Sequence, residues 1–298
     1  MSRAQQPSRQ TGGVIDHTRW FLPEHITHFY YAPIYQELAP SHRLRYNQLF
    51  ACYFNEMVSF FEVNFAHFME AILHSKTIPA TLHAPIRATL ASEVRHTHWY
   101  CSLNRAAEPH LYANTDFYFV RMPAWSERVF MRASRRPELF PAFLWLILLQ
   151  EERSVFHSNE ILRHSGHLEP QFVKVNTMHM TDESEHVDLG EALLEILWDR
   201  NRRWVRSANA RLLRFIISEF CAAPKRSGVR VIQQWIRECP ELQPRSRKLL
   251  DQFRALGRDL NFHRNLYSRT IVPKAFARLD RFPEFRRLGQ SMPGYVPL

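Results

Sequence analysis

The sequence predicts an all-α protein, in which a bundle of long helices is followed by shorter ones. The pattern of apolar residues is helical over about 41–75, 86–105, 137–164 and 172–201. Glycine is scarce, at 8 of 298 residues, and no stretch shows the apolar–polar alternation of a half-buried strand. Apolar residues make up 45% of the chain, which is enough to bury a substantial core.

Proline and glycine separate the four predicted long helices. The segment KTIPATLHAP, residues 76–85, ends the first helix before the second begins. The segment SGHLEP, residues 165–170, is a stop signal between the third and the fourth. Residues 106–136 predict a connection with a short helix at most. Each of the two short breaks allows the helices on either side of it to pair in antiparallel fashion.

Charge is unevenly distributed along the chain. The formal net charge is +10, but residues 202–298 carry 21 Lys and Arg against 7 Asp and Glu, whereas residues 1–201 have a net charge of −4. A basic region of this kind is compatible with nucleic acid, an anionic lipid, an acidic protein partner or simply a solvated helical surface. The four cysteines form no CxxC pair, no signal peptide is evident, and the longest apolar run, 139–149, is about half of a membrane span. We therefore expect a soluble cytoplasmic protein.

Two segments share the spacing Glu-x-x-His: Glu93 to His96 and Glu183 to His186. Residues i and i+3 lie on the same face of a helix, so each segment directs a carboxylate and an imidazole to one point. A single copy of this spacing is common by chance and would indicate only a surface helix. Two copies on separate predicted helices are more informative, because paired helices can bring them together.

Each copy is preceded by another glutamate at the same distance. Glu62 lies 31 residues before Glu93, and Glu152 lies 31 residues before Glu183. The midpoint of each pair falls in a predicted break, so the two members of a pair should lie side by side in an antiparallel helix pair. Ferritin-like di-iron carboxylate proteins use this layout, with a Glu from each of two helices and a Glu-x-x-His from each of the other two.

Other carboxylates on these helices compete for the same roles. The midpoint between Glu56 and Glu93 falls before the break, which favours Glu62 instead. Glu151 neighbours Glu152 but points about 100° away on the helix, and we prefer Glu152 because it fits the ligand layout. Glu185 does not repeat the spacing and is expected to face solvent or to support a ligand.

Two further residues precede the second Glu-x-x-His. His179 lies four residues before Glu183 and seven before His186, so the three form one helical stripe and should face the same centre. The alternative is a histidine packed in the bundle without a metal. Asp182 can accept a hydrogen bond from the outer nitrogen of a ligand histidine and fix its tautomer, or can be a solvated carboxylate.

The chemistry of these residues favours a pair of iron ions. Carboxylates are hard anionic ligands that can bridge two cations, and imidazole suits iron in both of its working oxidation states. A ligand set without cysteine argues against structural zinc. The same acids gathered without a metal would repel one another and raise one another's pKa. The sequence therefore predicts a ferritin-like bundle that holds two irons.

The order of these motifs resembles the p-aminobenzoate N-oxygenase (AurF-like) family of non-haem di-iron oxygenases, over about residues 43–201. That family has an additional metal-binding histidine on the last core helix, and His179 occupies the matching position. The resemblance implies N-oxygenation of an aryl amine to the nitro group, with dioxygen as co-substrate, through a peroxo di-iron(III) species. It also implies metal ligands at the matching positions: Glu62, Glu93 and His96 toward one iron, and Glu152, His179, Glu183 and His186 toward the other.

Several expectations follow from that resemblance. Glu93 and Glu183 are the expected bridging ligands. An external reductase or ferredoxin must return the irons to the ferrous state. Many di-iron bundles place Asp before the Glu of Glu-x-x-His, and the first copy here has Ser92, so the support of its histidine must differ. The aromatic residues of the first helix could wall a substrate pocket or simply form core: Phe60, Phe61, Phe65 and Phe68.

The expected organisation has three regions. Residues 1–20 predict a disordered arm, 21–205 the di-iron bundle, and 206–298 a basic helical extension packed on that bundle. Alternative functions are hydroxylation or desaturation of a C–H bond in a small or carrier-bound acyl substrate, and ferritin-like iron binding without an organic substrate. A nucleic-acid-binding protein is supported by charge alone. An acidic carrier protein and a second copy of the chain are candidate partners.

Overall fold

The computed structural model describes residues 13–221 and 226–298. Over these residues the protein is all-α, as the sequence predicts, with ten α-helices and no strand. In chain order the helices are α1 (Pro40–Leu73), α2 (His83–Ala107), α3 (Ala124–Ser134), α4 (Ala142–Arg163), α5 (Pro170–Leu194), α6 (Arg203–Ile216), α7 (Arg226–Glu238), α8 (Ser246–Ala255), α9 (Leu260–Leu266) and α10 (Pro273–Asp280).

The four long helices α1, α2, α4 and α5 form a ferritin-like core. Helix α1 packs against α2, α4 packs against α5, and α2 and α5 join the two pairs. Both pairs are antiparallel across the breaks that the sequence predicts. Proline marks the start of two of these helices, because a residue in the first turn needs no backbone N–H donor: Pro40 begins α1 and Pro170 begins α5. The carboxylate of Glu169 caps α5 by accepting from two backbone amides.

The N-terminal segment lies along this core. Residues 1–12 of the predicted disordered arm are outside the described residues, whereas residues 13–20 are described and contact the bundle. Trp20 forms a β-bridge with Leu168, and the guanidinium of Arg19 donates to the carbonyl of Leu168 at 2.8 Å. The amide of Asn47 accepts from two backbone N–H groups of this segment and donates to a carbonyl, which fixes it to α1.

The C-terminal helices cover the outer surface of the core. Helices α6 and α10 pack against α4, and α7 packs against α1. Their apolar residues belong to the same hydrophobic core as those of the four long helices. Helix α4 is therefore buried on two sides, toward α5 and toward the C-terminal helices. None of the described helices combines the length and apolarity that a bilayer crossing requires.

Buried Glu56 on α1 has a structural role. Its carboxylate accepts hydrogen bonds from the backbone N–H groups of Tyr118, Phe119 and Val120, at 2.7–3.0 Å. The hydroxyl of Tyr112 donates to the same carboxylate at 2.5 Å. Glu56 thus accepts hydrogen bonds from the backbone of the connection between α2 and α3. Both of its carboxylate oxygens are engaged in these bonds.

Replacing Glu56 with alanine should destabilise the protein. The substitution leaves several buried N–H groups without an acceptor, so we expect the free energy of unfolding to fall by about 3 kcal/mol. Urea denaturation measures this change, and Glu70→Ala at an exposed position of the same helix is the control, with an expected change within about 0.5 kcal/mol. Equal effects of the two substitutions would contradict the anchoring role.

Candidate metal centre

The four long helices direct ionisable side chains to a common point in the interior of the bundle. Those of α1, α2 and α5 are at most 5% exposed. The ligand atoms form two groups, within each of which they lie within 4.8 Å of one another. One group contains Glu62, His96, His179 and Glu183, and the other contains Glu93, Glu151 and His186.

Glu183 is the hub of this cluster. Its Oε1 lies 2.9 Å from Nε2 of His179, 3.5 Å from Nδ1 of His96 and 3.6 Å from Nδ1 of His186. His179 and His186 share the face of α5 with Glu183, as their spacing predicts, whereas His96 comes from α2. One carboxylate thus meets an imidazole nitrogen from each of the three histidines.

The other carboxylates extend the cluster on either side. Oε1 of Glu62 lies 2.9 Å from Nε2 of His179 and 3.5 Å from Nδ1 of His96. Glu93 lies between two histidines, with Oε1 3.1 Å from Nδ1 of His186 and Oε2 3.8 Å from Nδ1 of His96. Glu93 therefore contacts histidines of both groups, as the hub carboxylate does.

The residue before each Glu-x-x-His supports the histidine of the other copy. Oδ2 of Asp182 lies 3.1 Å from Nε2 of His96, and Oγ of Ser92 lies 2.8 Å from Nε2 of His186. The hydroxyl of Ser92 donates to the carbonyl of Thr89 at 2.8 Å, so its oxygen is left to accept from His186. Both contacts place the hydrogen on Nε2 and leave the Nδ1 lone pair facing the cluster.

The structure corrects the choice between Glu152 and Glu151. The carboxylate of Glu152 points away from the cluster and accepts from the N–H groups of Lys274 and Ala275, at 2.8 and 2.7 Å. These are free donors in the first turn of α10, where a carboxylate is favoured. The neighbouring Glu151, about 100° round the helix, occupies the position that the sequence assigned to Glu152.

Sequence reasoning also missed Ser154. Its hydroxyl lies 3.3 Å from Nδ1 of His179, the nitrogen that faces away from the cluster. Ser154 lies three residues after Glu151, so the two share one face of α4. That i, i+3 relation is the sequence signal that could have favoured Glu151. Glu185 is exposed, as expected.

Without a metal, protons balance the charges of this cluster. Burial opposes the charge of His96 and His186, but the carboxylates within 4 Å of their Nδ1 atoms outweigh it and raise the pKa of the two side chains to about 9 and about 10. Burial and the charge of Glu183 raise the pKa of Glu151 well above its ordinary value. Burial works against ionisation of Glu183 too, but the charge of His179 and the neighbouring side chains hold its pKa well below the ordinary value. Metal binding must therefore displace protons.

The donor atoms fit a metal pair. Among the described residues, both carboxylate oxygens of Glu93 and of Glu183 are buried without a hydrogen-bond partner, and so is Nδ1 of His96 and of His186. Buried polar atoms are otherwise almost always hydrogen-bonded, because an unpaired one costs about 1–3 kcal/mol. Here the unpaired atoms all face one another, which is the arrangement expected when cations belong between them.

A cavity of about 270 Å³ adjoins the cluster. It lies between α1 and α4, and Glu62, Glu151 and His179 form part of its wall. The rest of the lining is mainly apolar, which suits an organic molecule. It includes the four aromatic residues of α1 noted in the sequence, with others from α3 and α4: Phe60, Phe61, Phe65, Phe68, Trp125, Phe130 and Phe143.

The fold and the cluster define a ferritin-like bundle protein whose buried carboxylates and histidines are compatible with a metal site. Residues 10–260 match the family described as P-aminobenzoate N-oxygenase AurF. The chain belongs to this family. Comparison with curated proteins returned no match, and neither did comparison with solved structures.

Glu151→Ala and Glu152→Ala should separate the two neighbouring glutamates. We expect the first substitution to remove at least half of the iron bound after anaerobic loading with ferrous iron, because a ligand is lost. The second should retain the iron but lower the free energy of unfolding by about 2 kcal/mol, since two N–H groups of α10 lose their acceptor. Metal analysis and urea denaturation measure the two effects. The reverse pattern would show that Glu152, and not Glu151, is the metal ligand.

Asp182→Ala should weaken metal binding without abolishing it. The substitution removes the acceptor for Nε2–H of His96, and losses of such partners typically cost 10–100-fold in metal affinity. Competition with a chelator of known affinity measures the change. Glu185→Ala, on the same helix, is the control and should bind metal as the wild type does. No difference between the two variants would show that Asp182 does not support His96.

Proposed function

We propose that the protein is a non-haem di-iron oxygenase that uses dioxygen to N-oxygenate an aryl amine. The observation that carries this proposal is the junction of the cluster with the apolar cavity: Glu62, Glu151 and His179 belong to both. Family membership supports an oxygenase. The aryl-amine substrate class is taken from the family description, P-aminobenzoate N-oxygenase.

Two irons would be held by the seven clustered residues. Glu183 and Glu93 would contribute to both halves of the site, because each lies within 4 Å of histidines from both groups. His179 would bind on the side of Glu62 and His96, rather than with His186 as the family resemblance implied. When bound, the iron pair supplies the electrons and the open coordination positions needed to reduce dioxygen.

The protein itself orients the substrate and excludes water. The aromatic wall suits an aromatic ring, and the clustered carboxylates and histidine form a polar patch toward which an amine would point. Asp182, Ser92 and Ser154 would hold the three histidines in fixed orientations. Rigid support of this kind keeps a substrate within reach of the reacting atoms.

The oxygenase would depend on an electron donor and on a reducing compartment. A reductase or ferredoxin would supply electrons, and a homodimer is our expectation for the assembly. The four cysteines are all buried free thiols, which supports a reducing cytoplasm. The cavity favours an oxygenase over an iron-storage protein, because storage requires no apolar chamber beside the metals. The clustered carboxylates and histidines favour both an oxygenase and an iron-storage protein over a nucleic-acid-binding protein.

Substrate-dependent consumption of dioxygen tests the proposal. Protein loaded anaerobically with ferrous iron should consume dioxygen faster with an aryl amine present, and mass spectrometry should detect hydroxylamine and nitro products. Glu183→Ala removes the hub carboxylate and should abolish both cluster assembly and product. Iron-loaded protein that oxidises its iron at the same rate with and without a panel of aryl amines, and forms no oxygenated product, would contradict this function.

A further inference from the structure

The cavity opens to solvent between α3, α6 and the π-helical turn Ile217–Cys221. Four large apolar residues that line the cavity are exposed at this opening, which we call the mouth. They are Trp125 at 58%, Val129 at 60%, Phe215 at 53% and Phe220 at 45%. Isolated exposed apolar residues are common, but a group of them around one opening marks an interaction site.

The segments that build the mouth are strongly basic. Residues 121–132, 211–221 and 226–230 carry seven arginines and two glutamates. On α3, the exposed Arg128 and Arg132 share the stripe of Trp125 and Val129, at i, i+3, i+4 and i+7. The seven arginines are Arg121, Arg128, Arg132, Arg211, Arg214, Arg226 and Arg230.

In the part of the chain that the structure describes, these cations are not neutralised by ion pairs. Across residues 13–221 and 226–298, none of the seven arginines forms an ion pair with a carboxylate. The contacts they do form are with backbone carbonyls, such as that of Arg230 with Phe119 at 2.8 Å. Burial and the neighbouring guanidinium of Arg121 lower the pKa of Arg230, so the cations also crowd one another. Such a surface is complementary to a negatively charged partner.

The composition of the mouth favours a protein over a lipid surface. Seven of the eight cations in residues 121–132 and 211–230 are arginine, the eighth being Lys225, and protein interfaces are enriched in arginine and aromatic residues and depleted in lysine. Membrane-surface helices use both basic residues. Arginine also binds phosphate groups through two parallel hydrogen bonds, which a lysine cannot do.

We propose that the mouth docks an acidic carrier-protein domain, which delivers the amine substrate through the opening on a phosphopantetheine arm. Exposed aromatic residues would contact the apolar surface of the carrier, and the arginines its acidic side chains and the phosphate of the arm. The apolar cavity leads from the mouth to Glu62 and Glu151, so a tethered substrate reaches the cluster without being released. This inference rests on the proposed oxygenase function and specifies how its substrate arrives.

Binding to an acidic acyl carrier protein, charged with a 4-aminobenzoyl thioester, tests the docking. Fluorescence anisotropy with the full-length protein should show binding that weakens with salt. The double variant Arg128→Glu/Arg211→Glu should weaken it at least tenfold, whereas the control Arg264→Glu/Arg286→Glu, at exposed positions away from the cavity, should change it less than twofold. No binding, or equal effects of the two variants, would overturn the proposal.

Cross-linking tests where the arm enters. A carrier whose arm ends in a chloroacetamide should alkylate Val129→Cys at least tenfold faster than Val94→Cys, an exposed position on α2 outside the cavity. Wild type gives the background from Cys221, which lines the cavity. Equal rates at the two positions, or equally fast labelling of Val129→Cys by the free pantetheine reagent, would overturn docking at the mouth.

Two further measurements separate the outcomes. Binding to phosphatidylglycerol vesicles that is lost in Arg128→Glu/Arg211→Glu, without binding to the carrier, would replace the protein partner with a membrane and refute the proposal. Docking requires no metal, so Glu183→Ala should bind the carrier as the wild type does. A carrier that docks and cross-links without any N-oxygenation would refute the proposed activity alone, and turnover of free amines without docking would refute this inference alone.

Discussion

Four carboxylates and three imidazoles share an interior from which water is largely excluded, and this constraint governs the rest of the structure. A buried charge is costly unless it is paired, and carboxylates without cations repel one another. Without metal, protons on His96 and His186 provide the compensation, and their raised pKa values reflect it. Two divalent ions would supply four positive charges against the four carboxylates. Metal binding should thus stabilise the folded state, because the unfolded chain offers no such site.

The same constraint explains the crossed support of the two Glu-x-x-His copies. Helices α2 and α5 run antiparallel, so the residue before the motif on one helix lies level with the histidine of the other. An imidazole that faces the cluster through Nδ1 needs an acceptor for Nε2–H, and Asp182 and Ser92 provide it. A carboxylate supports His96 and a neutral hydroxyl supports His186. The two histidines are therefore supported by chemically unequal groups, and this is the structural consequence of having Ser92 where many di-iron bundles have Asp.

Counting from the breaks predicted most of the side chains that the structure brings together, but not all of them. Equidistance from a turn fixes the level of a residue along a helix pair, and it distinguished Glu62 from Glu56, which lies about 9 Å lower on α1. It cannot fix the angle around the helix, where adjacent residues differ by about 100°. The position of an apolar stripe normally shows which side of a helix faces the core. Residues 142–149 of α4 are all apolar and buried, so they show no such stripe. The sequence around Glu151 and Glu152 therefore could not show which of the two faces the cluster. The contact of Glu152 with α10 distinguishes them, and no local pattern of the sequence reveals the position of α10.

The basic C-terminal third is thus part of the centre's architecture, although it contributes no side chain to the cluster. The first turn of α10 donates two backbone N–H groups to Glu152, on the side of α4 that faces away from the cluster, while Glu151 faces inward. Helix α6 and the turn after it supply Phe215 and Phe220 to the mouth of the cavity. Acidic residues lie where cations would be held inside the bundle, and seven arginines lie in the segments around the opening of the cavity, so a negatively charged partner would be drawn to that opening.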